Sequence, residues 1–256
     1  MVIRTPVACQ VVSRRPGGYI YWQNLGPRAP VGPVDRMDTV QPLVEVLKSL
    51  IERTYGIPPL IGDLAPFIVG DEGFRSLYAG VAGGGDRTGA RILVRESSGS
   101  LRAAFYCPDS LVRHLERFNP LRGLGDVNVR EFSVLVEEID HLVTLASRAS
   151  EGRAVTLLEL EHHANVTKYL AVMHFLGRQT GRRRVAEPLR QWARHHLFER
   201  LSGADSAAER RYREAARLAW QYLRTFETLA PRDRRIEIRA FHRRPFPDIL
   251  HLATRN

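Results

Sequence analysis

Residues 131–176, EFSVLVEEIDHLVTLASRASEGRAVTLLELEHHANVTKYLAVMHFL, constrain this chain more than any other stretch. Phe132, Leu135, Val136, Ile139, Leu142, Val143 and Ala146 recur at i, i+3, i+4 and i+7, which marks one face of an α-helix. The spacing predicts a helix from about Glu131 to Arg148, a polar turn at 150–153, and a second helix from about Ala154 to just before Gly177. The second helix is apolar on two sides. Val155, Leu158, Val166, Tyr169, Met173 and Leu176 form one face, and Leu157, Leu160, Ala164, Ala171 and Phe175 the other. Such a helix belongs in the middle of a bundle, so any charge it carries must find a partner.

Each helix of this hairpin carries a Glu-x-x-His step, Glu138 to His141 and Glu159 to His162. Residues three apart share a helix face, and a turn centred near Glu151 sets His141 level with His162. Paired Glu-x-x-His steps on facing helices are one way four-helix proteins hold metal ions. Glu138, His141, Glu159 and His162 are therefore the candidate ligands for a divalent metal. Against this, at about 100° per residue His141 falls nearly opposite the main apolar face of its helix, while His162 sits inside that of its own. Glu161, Asn165 and Lys168 form a further stripe between the two apolar faces. Glu161 and Lys168 are expected to be buried and paired, directly or through Glu138 or His141. Glu138, His141, Glu159, Glu161 and Lys168 make up the candidate catalytic set.

The run Val136-Glu137-Glu138-Ile139-Asp140-His141, followed by Leu158-Glu159-Leu160-Glu161 and Lys168, resembles a group of uncharacterised bacterial proteins. They share an EE-x-x-H helix followed by a LELE helix that ends in a lysine. The likeness extends to Ile68-Val69-Gly70-Asp71 upstream. It implies that Glu138, His141, Glu159, Glu161 and Lys168 are family positions and that His162 and His163 depart from the pattern. It implies no activity.

The rest of the chain reads as α+β: N-terminal β-hairpins with two helices over 1–128, then a mainly helical bundle over 129–256, packed as one unit. Residues 6–23 alternate around a turn at Arg14–Gly18, and 92–94 pairs with 101–106 across Ser97–Ser100. Helices are expected at 39–55 behind Asp38, after Asp71, from Pro108 or Asp109 to Phe118, at 187–201, and from Asp205 or Ser206 onward. Ile236–Phe241 reads as a last strand. The glycine-rich loop 83–89 lacks the Gly-Lys-Ser/Thr of a phosphate loop. Gly-x-Ser-x-Gly and His-Glu-x-x-His patterns are absent, and there is no internal repeat.

Charge points to an acidic partner. Of 38 basic residues only Lys48 and Lys168 are lysines, and the formal net charge is +10. Residues 1–150 hold 17 basic and 16 acidic side chains, against 21 and 12 in the remainder. The surplus suggests a surface for nucleic acid or an acidic protein within a larger complex, with Arg182, Arg183, Arg184, Arg210, Arg211, Arg213 and Arg217 as contributors. No apolar run long enough to span a membrane and no apolar leader segment is visible, so a cytoplasmic setting is expected. Cys9 and Cys107 fit no metal spacing and no disulfide framework. Two readings follow: a basic binding or adaptor protein, and a metal-dependent hydrolase built on the Glu/His hairpin.

Overall fold

The computed structural model describes residues 9–12, 21–23, 41–78, 89–97, 100–182, 184–199 and 206–249. It is mostly helical with a small mixed sheet. The expected turn at 14–18, the cap Asp38 and most of the loop 83–89 lie outside these residues.

The sheet is built on β5 (Ser100–Tyr106). Strand β4 (Arg91–Ser97) lies antiparallel along its whole length, from Arg91 opposite Tyr106 to Ser97 opposite Ser100. The other edge of β5 is shared. Strand β1 (Cys9–Val12) pairs antiparallel with 100–103, and β3 (Ile68–Val69) pairs parallel with Phe105 and Tyr106. Strand β2 (Tyr21–Gln23) lies outside β1. Alternation along β5 sends Ala103 and Phe105 into the main core, while Tyr106 packs with Phe74 and Val69 on the opposite face.

Helix α1 (Gln41–Tyr55) buries Leu43, Leu47, Ile51 and Tyr55 at helical spacing and stops at Gly56, whose φ of 69° suits glycine. Helix α2 (Asp71–Tyr78) packs beside β3, and α3 (Asp109–Arg117) packs against the helix that follows it. The loop before the hairpin is pinned by Asn128, whose side-chain amide donates to the Phe118 and Gly123 carbonyls while its oxygen accepts from the Gly125 amide.

The hairpin is α4 (Val129–Ser150) and α5 (Leu157–Thr180). All seven apolar positions read on α4 are at most 3% exposed. Helix α5 begins later than expected because Thr156 is its cap, accepting from the Glu159 amide at 3.1 Å. It also runs past Gly177 to Gly181, which takes the left-handed φ of 64°. Gly177 serves a different purpose inside the helix. A Cβ there would sit 3.3 Å from the Arg182 carbonyl, where the chain folds back.

Helix α6 (Glu187–Arg194) continues into a π-helical turn at His195–Glu199. Helix α7 (Ala207–Thr228) opens on a complete capping box, Ser206 with Glu209. It packs against α5, with Tyr212 near Glu161 toward one end and Glu227 accepting from the Tyr169 hydroxyl further along. Helix α8 (Pro231–Arg243) replaces the strand expected at 236–241. The buried residues there are Ile238, Phe241 and His242, at i, i+3 and i+4, whereas Ile236 is exposed. The short alternation of isoleucines imitated a strand, but the burial period is helical. One cluster of buried apolar side chains extends from Leu43 on α1 to Ile249, so both parts of the chain share a core.

Candidate metal centre

Helices α4 and α5 are antiparallel, and their seam is polar along its length. Lys168 pairs with Glu137 at one end and Glu159 with Arg148 at the other. Three groups of side chains occupy this seam.

The first holds Glu137, Glu138 and His141 from α4, Glu161 and Lys168 from α5, and Tyr212 from α7. Glu137, His141 and Glu161 each offer a ligand atom, and these atoms lie within 4.8 Å of one another; among the described residues no other set of three does so. Imidazole Nδ1 of His141 faces Glu138 Oε2 at 3.6 Å, and its Nε2 faces Glu161 Oε2 at 3.9 Å. Lys168 Nζ donates to Glu137 Oε2 at 2.6 Å. The Tyr212 hydroxyl stands near Glu161 and interacts with it, and the residue is 37% exposed. The Ile92 backbone on β4 lies near Glu138 and favours its charged form. Glu138 Oε2, His141 Nε2 and Glu161 Oε2 are buried and lack any hydrogen-bond partner.

Burial pushes the Glu161 carboxyl up to about 7, helped by the nearby Glu137 charge. Glu138 is raised for the same first reason, with His141 working against it. For His141 burial disfavours the cation, but Glu138, Glu137 and Glu161 outweigh it and lift the imidazole to about 9. Glu137 is lowered, because Lys168 and His141 overcome its burial. The cluster therefore holds protons on His141 and, below neutral pH, on Glu161.

The second group is a hydrogen-bonded chain across the bundle. Tyr55 on α1 meets Thr167 Oγ1 at 2.6 Å, and Thr167 donates to Asp140 Oδ1 at 2.7 Å. Asp140 Oδ2 accepts from His163 Nδ1 at 2.8 Å, and His163 Nε2 lies 3.1 Å from His242 Nδ1, where one proton is shared between the two rings. His242 Nε2 lies 3.1 Å from Ser147 Oγ. Burial, then His163, drives His242 down to about 2, so it stays neutral. Four helices meet in this chain. The isosteric change Thr167→Val removes the acceptor of Tyr55 and one donor to Asp140, and is expected to cost about 1–3 kcal/mol in urea unfolding. A loss under about 0.5 kcal/mol would show that the chain contributes no net stability.

The third group is Arg148 with Glu159 and the His242 carbonyl.

The two Glu-x-x-His steps thus do not converge. Glu138 and His141 stand in the first group, but Glu159 is taken by Arg148. His162 points elsewhere, with ring centroids 5.5 Å from those of Phe241 and Phe246. Burial, then His163, lowers it to about 3 and keeps it uncharged. The physical reason is rotation: His162 lies in the face α5 turns toward α8, and Glu161 in the face it turns toward α4. Glu161 and Lys168 are linked, as expected, but through Glu137 and His141 rather than Glu138. Glu137 was not a sequence candidate, and its signal was the Glu137–His141 spacing of four, equally a shared face.

Of the arginines, Arg182, Arg184, Arg210, Arg213 and Arg217 are exposed and Arg211 is half-buried; the Arg183 side chain lies outside the described residues. They form two groups. The α7 group lies by the start of α5, where Tyr212 meets Glu161, and the other follows its end, roughly 28 Å away at 1.5 Å per residue. Arg217 is held by both oxygens of Glu214.

Among the described residues, no helix is long and apolar enough to cross a membrane. Comparison with protein-family models, with curated proteins and with solved structures gave no match.

Proposed function

We propose that the protein is a metal-dependent hydrolase in which Glu137, His141 and Glu161 hold one divalent ion. A single observation carries this reading: His141 turns one ring nitrogen to a carboxylate, Glu138, and leaves the other buried, unpartnered and facing a second, Glu161. Metal-binding histidines have that arrangement, with a carboxylate fixing the ring and the free nitrogen on the ion. Glu138 is then the orienting residue rather than a ligand.

The donor set suits a cation such as Zn²⁺ or Mn²⁺. Bond lengths of about 2.0–2.2 Å require the three ligand atoms to close up by roughly 1 Å from their present spread, within the reach of side-chain rotation. Three protein ligands leave coordination positions for water, the arrangement of catalytic rather than structural sites. Glu137, Lys168 and Tyr212 lie at the rim, so a substrate approaches from the α7 side. The exposed Arg210 and Arg213 on that helix favour an anionic substrate.

A basic docking face for nucleic acid or an acidic protein is the second reading. It is supported by the exposed arginines of α7, but the two arginine groups are too far apart to make one patch, and Arg217 is already neutralised by Glu214.

Calorimetric titration of chelator-treated protein with Zn²⁺ and Mn²⁺ tests the reading, alongside hydrolysis of p-nitrophenyl acetate and bis-p-nitrophenyl phosphate. One ion per chain is expected, with affinity reduced at least about 100-fold in His141→Ala and Glu161→Gln, and little changed in His162→Phe. Failure of both metals to bind, or binding that survives His141→Ala, removes the centre. Stoichiometric binding without hydrolysis of either ester removes the hydrolase reading and leaves a metal-binding protein.

A further inference from the structure

Away from the metal ligands, a cavity of about 330 Å³ opens between α1, α5, α7 and the chain leaving α5. Tyr55 and Thr167 reach it from the buried hydrogen-bonded chain, and Leu50, Leu170, Met173 and Phe226 supply apolar walls. Its size falls at the small end of the range for small-molecule sites.

The charge in its lining is unbalanced. Arg184, Arg190 and Arg234 are there, with Glu227 as the acidic lining residue. Glu227 is already engaged, by the Tyr169 hydroxyl and by Arg194 at 2.6 Å. Arg190 pairs with Glu187 yet keeps a buried Nε without a partner. Arg234 donates to the main-chain carbonyls of Leu229 and Glu227, which do not cancel its charge. Arg184 has no hydrogen-bond or ion-pair partner among the described residues. The field extends to His174 at the edge, whose imidazole is held below its ordinary range by burial and then by Arg178 and Arg53.

We infer that this cavity binds a small organic anion, its carboxylate or phosphate head among Arg184, Arg190 and Arg234 and its apolar body against Leu170, Met173 and Phe226. Guanidinium groups suit either head, since their planar donors match both oxyanions. An anion would give half-buried Arg234 the carboxylate or phosphate partner it lacks and would satisfy the buried Nε of Arg190, with exposed Arg184 adding charge at the mouth, and the walls reward an aliphatic or aromatic body. The inference is independent of the metal centre, whose ligands are not among the lining residues.

The test is calorimetry on the full chain with a chelator present, so that the metal centre cannot contribute. Octanoate and octyl phosphate are the probes, with 1-octanol as the uncharged control. One equivalent of at least one anion is expected to bind, with 1-octanol at least about tenfold weaker. Arg184→Ala, at an exposed position where folding is not at risk, should weaken the anion about fivefold or more. Thr54→Trp, at the lining, should block the cavity and abolish binding. Preference for octanoate over octyl phosphate, or the reverse, identifies the head group; either supports the inference. Absence of binding by both anions, equal binding of 1-octanol, or full binding by both variants overturns it.

Discussion

Arg148→Met is expected to lower the unfolding free energy by about 3–5 kcal/mol, the usual cost of orphaning one partner of a buried ion pair. Arg148 is 1% exposed, and its guanidinium joins three helices. Its Nε donates to Glu159 Oε1 on α5 at 3.1 Å, and its Nη2 donates to the His242 carbonyl on α8 at 2.6 Å. Methionine fills much of the volume, so the loss is electrostatic more than steric: the Glu159 carboxylate, itself 7% exposed, is left without a counter-charge. In a chain of this size each kcal/mol moves Tm by about 2–4 °C, so a fall of roughly 6–20 °C should be seen by circular dichroism. Adding Glu159→Gln to Arg148→Met removes the stranded charge and should recover more than about 1 kcal/mol, a coupling that a double-mutant cycle measures directly. Additive effects of the two changes would show that the pair is not the source of the loss. The same pairing explains why Glu159 is absent from the Glu137–His141–Glu161 cluster, although its spacing to His162 made it a candidate.

How far the sequence could be read depends on where each signal lies. The core face of α4 was legible because Phe132 to Ala146 keep one helical period without interruption. Helix α5 was legible as central because it is apolar on two sides, but that property hides which side its polar residues face. His162 and His163 are neighbours in sequence and lie in separate environments, one among phenylalanines and one on Asp140. Local spacing found Glu138, His141, Glu161 and Lys168, because all lie on one hairpin. It could not supply Tyr212 from α7 or the Ile92 backbone from β4, which arrive through tertiary packing. Nor could it pair His163 with His242, 79 residues away. The one element of wrong type, 236–241, failed because six residues with alternating isoleucines are too short to separate a strand from a partly exposed helix.

The proposed metal centre makes its largest demand in its response to pH. His141 is raised in the fold to about 9 from an ordinary 6.5, so its protonated form stabilises the metal-free protein fully below pH 6.5. That contribution is lost as pH rises through 9. Glu161 is raised to about 7 from 4.5, so folding also favours its neutral form, and this contribution is lost between pH 4.5 and 7. Both act in one direction: metal-free protein should weaken as pH rises, by on the order of 3 kcal/mol between pH 6.5 and 9 from His141 at 1.36 kcal/mol per unit. A divalent ion reverses this, because it replaces the proton on each of the two ligands. Affinity for Zn²⁺ or Mn²⁺ should therefore climb about 100-fold per pH unit below 7, where two protons are displaced, and about tenfold per unit from 7 to 9, where only His141 gives one up. Above 9 it should level off. With metal at 1,000 times its Kd, the bound ion contributes about 4 kcal/mol, enough to cancel the alkaline loss. Denaturation midpoints measured from pH 5 to 10, with chelator and with metal, check both halves. His141→Gln should flatten the metal-free curve above pH 7 and abolish the tenfold-per-unit climb. Metal-free stability that holds level through pH 9 would mean that His141 carries no extra proton in the fold. An affinity equal at pH 6 and pH 9 would mean that the ion binds somewhere other than on His141 and Glu161.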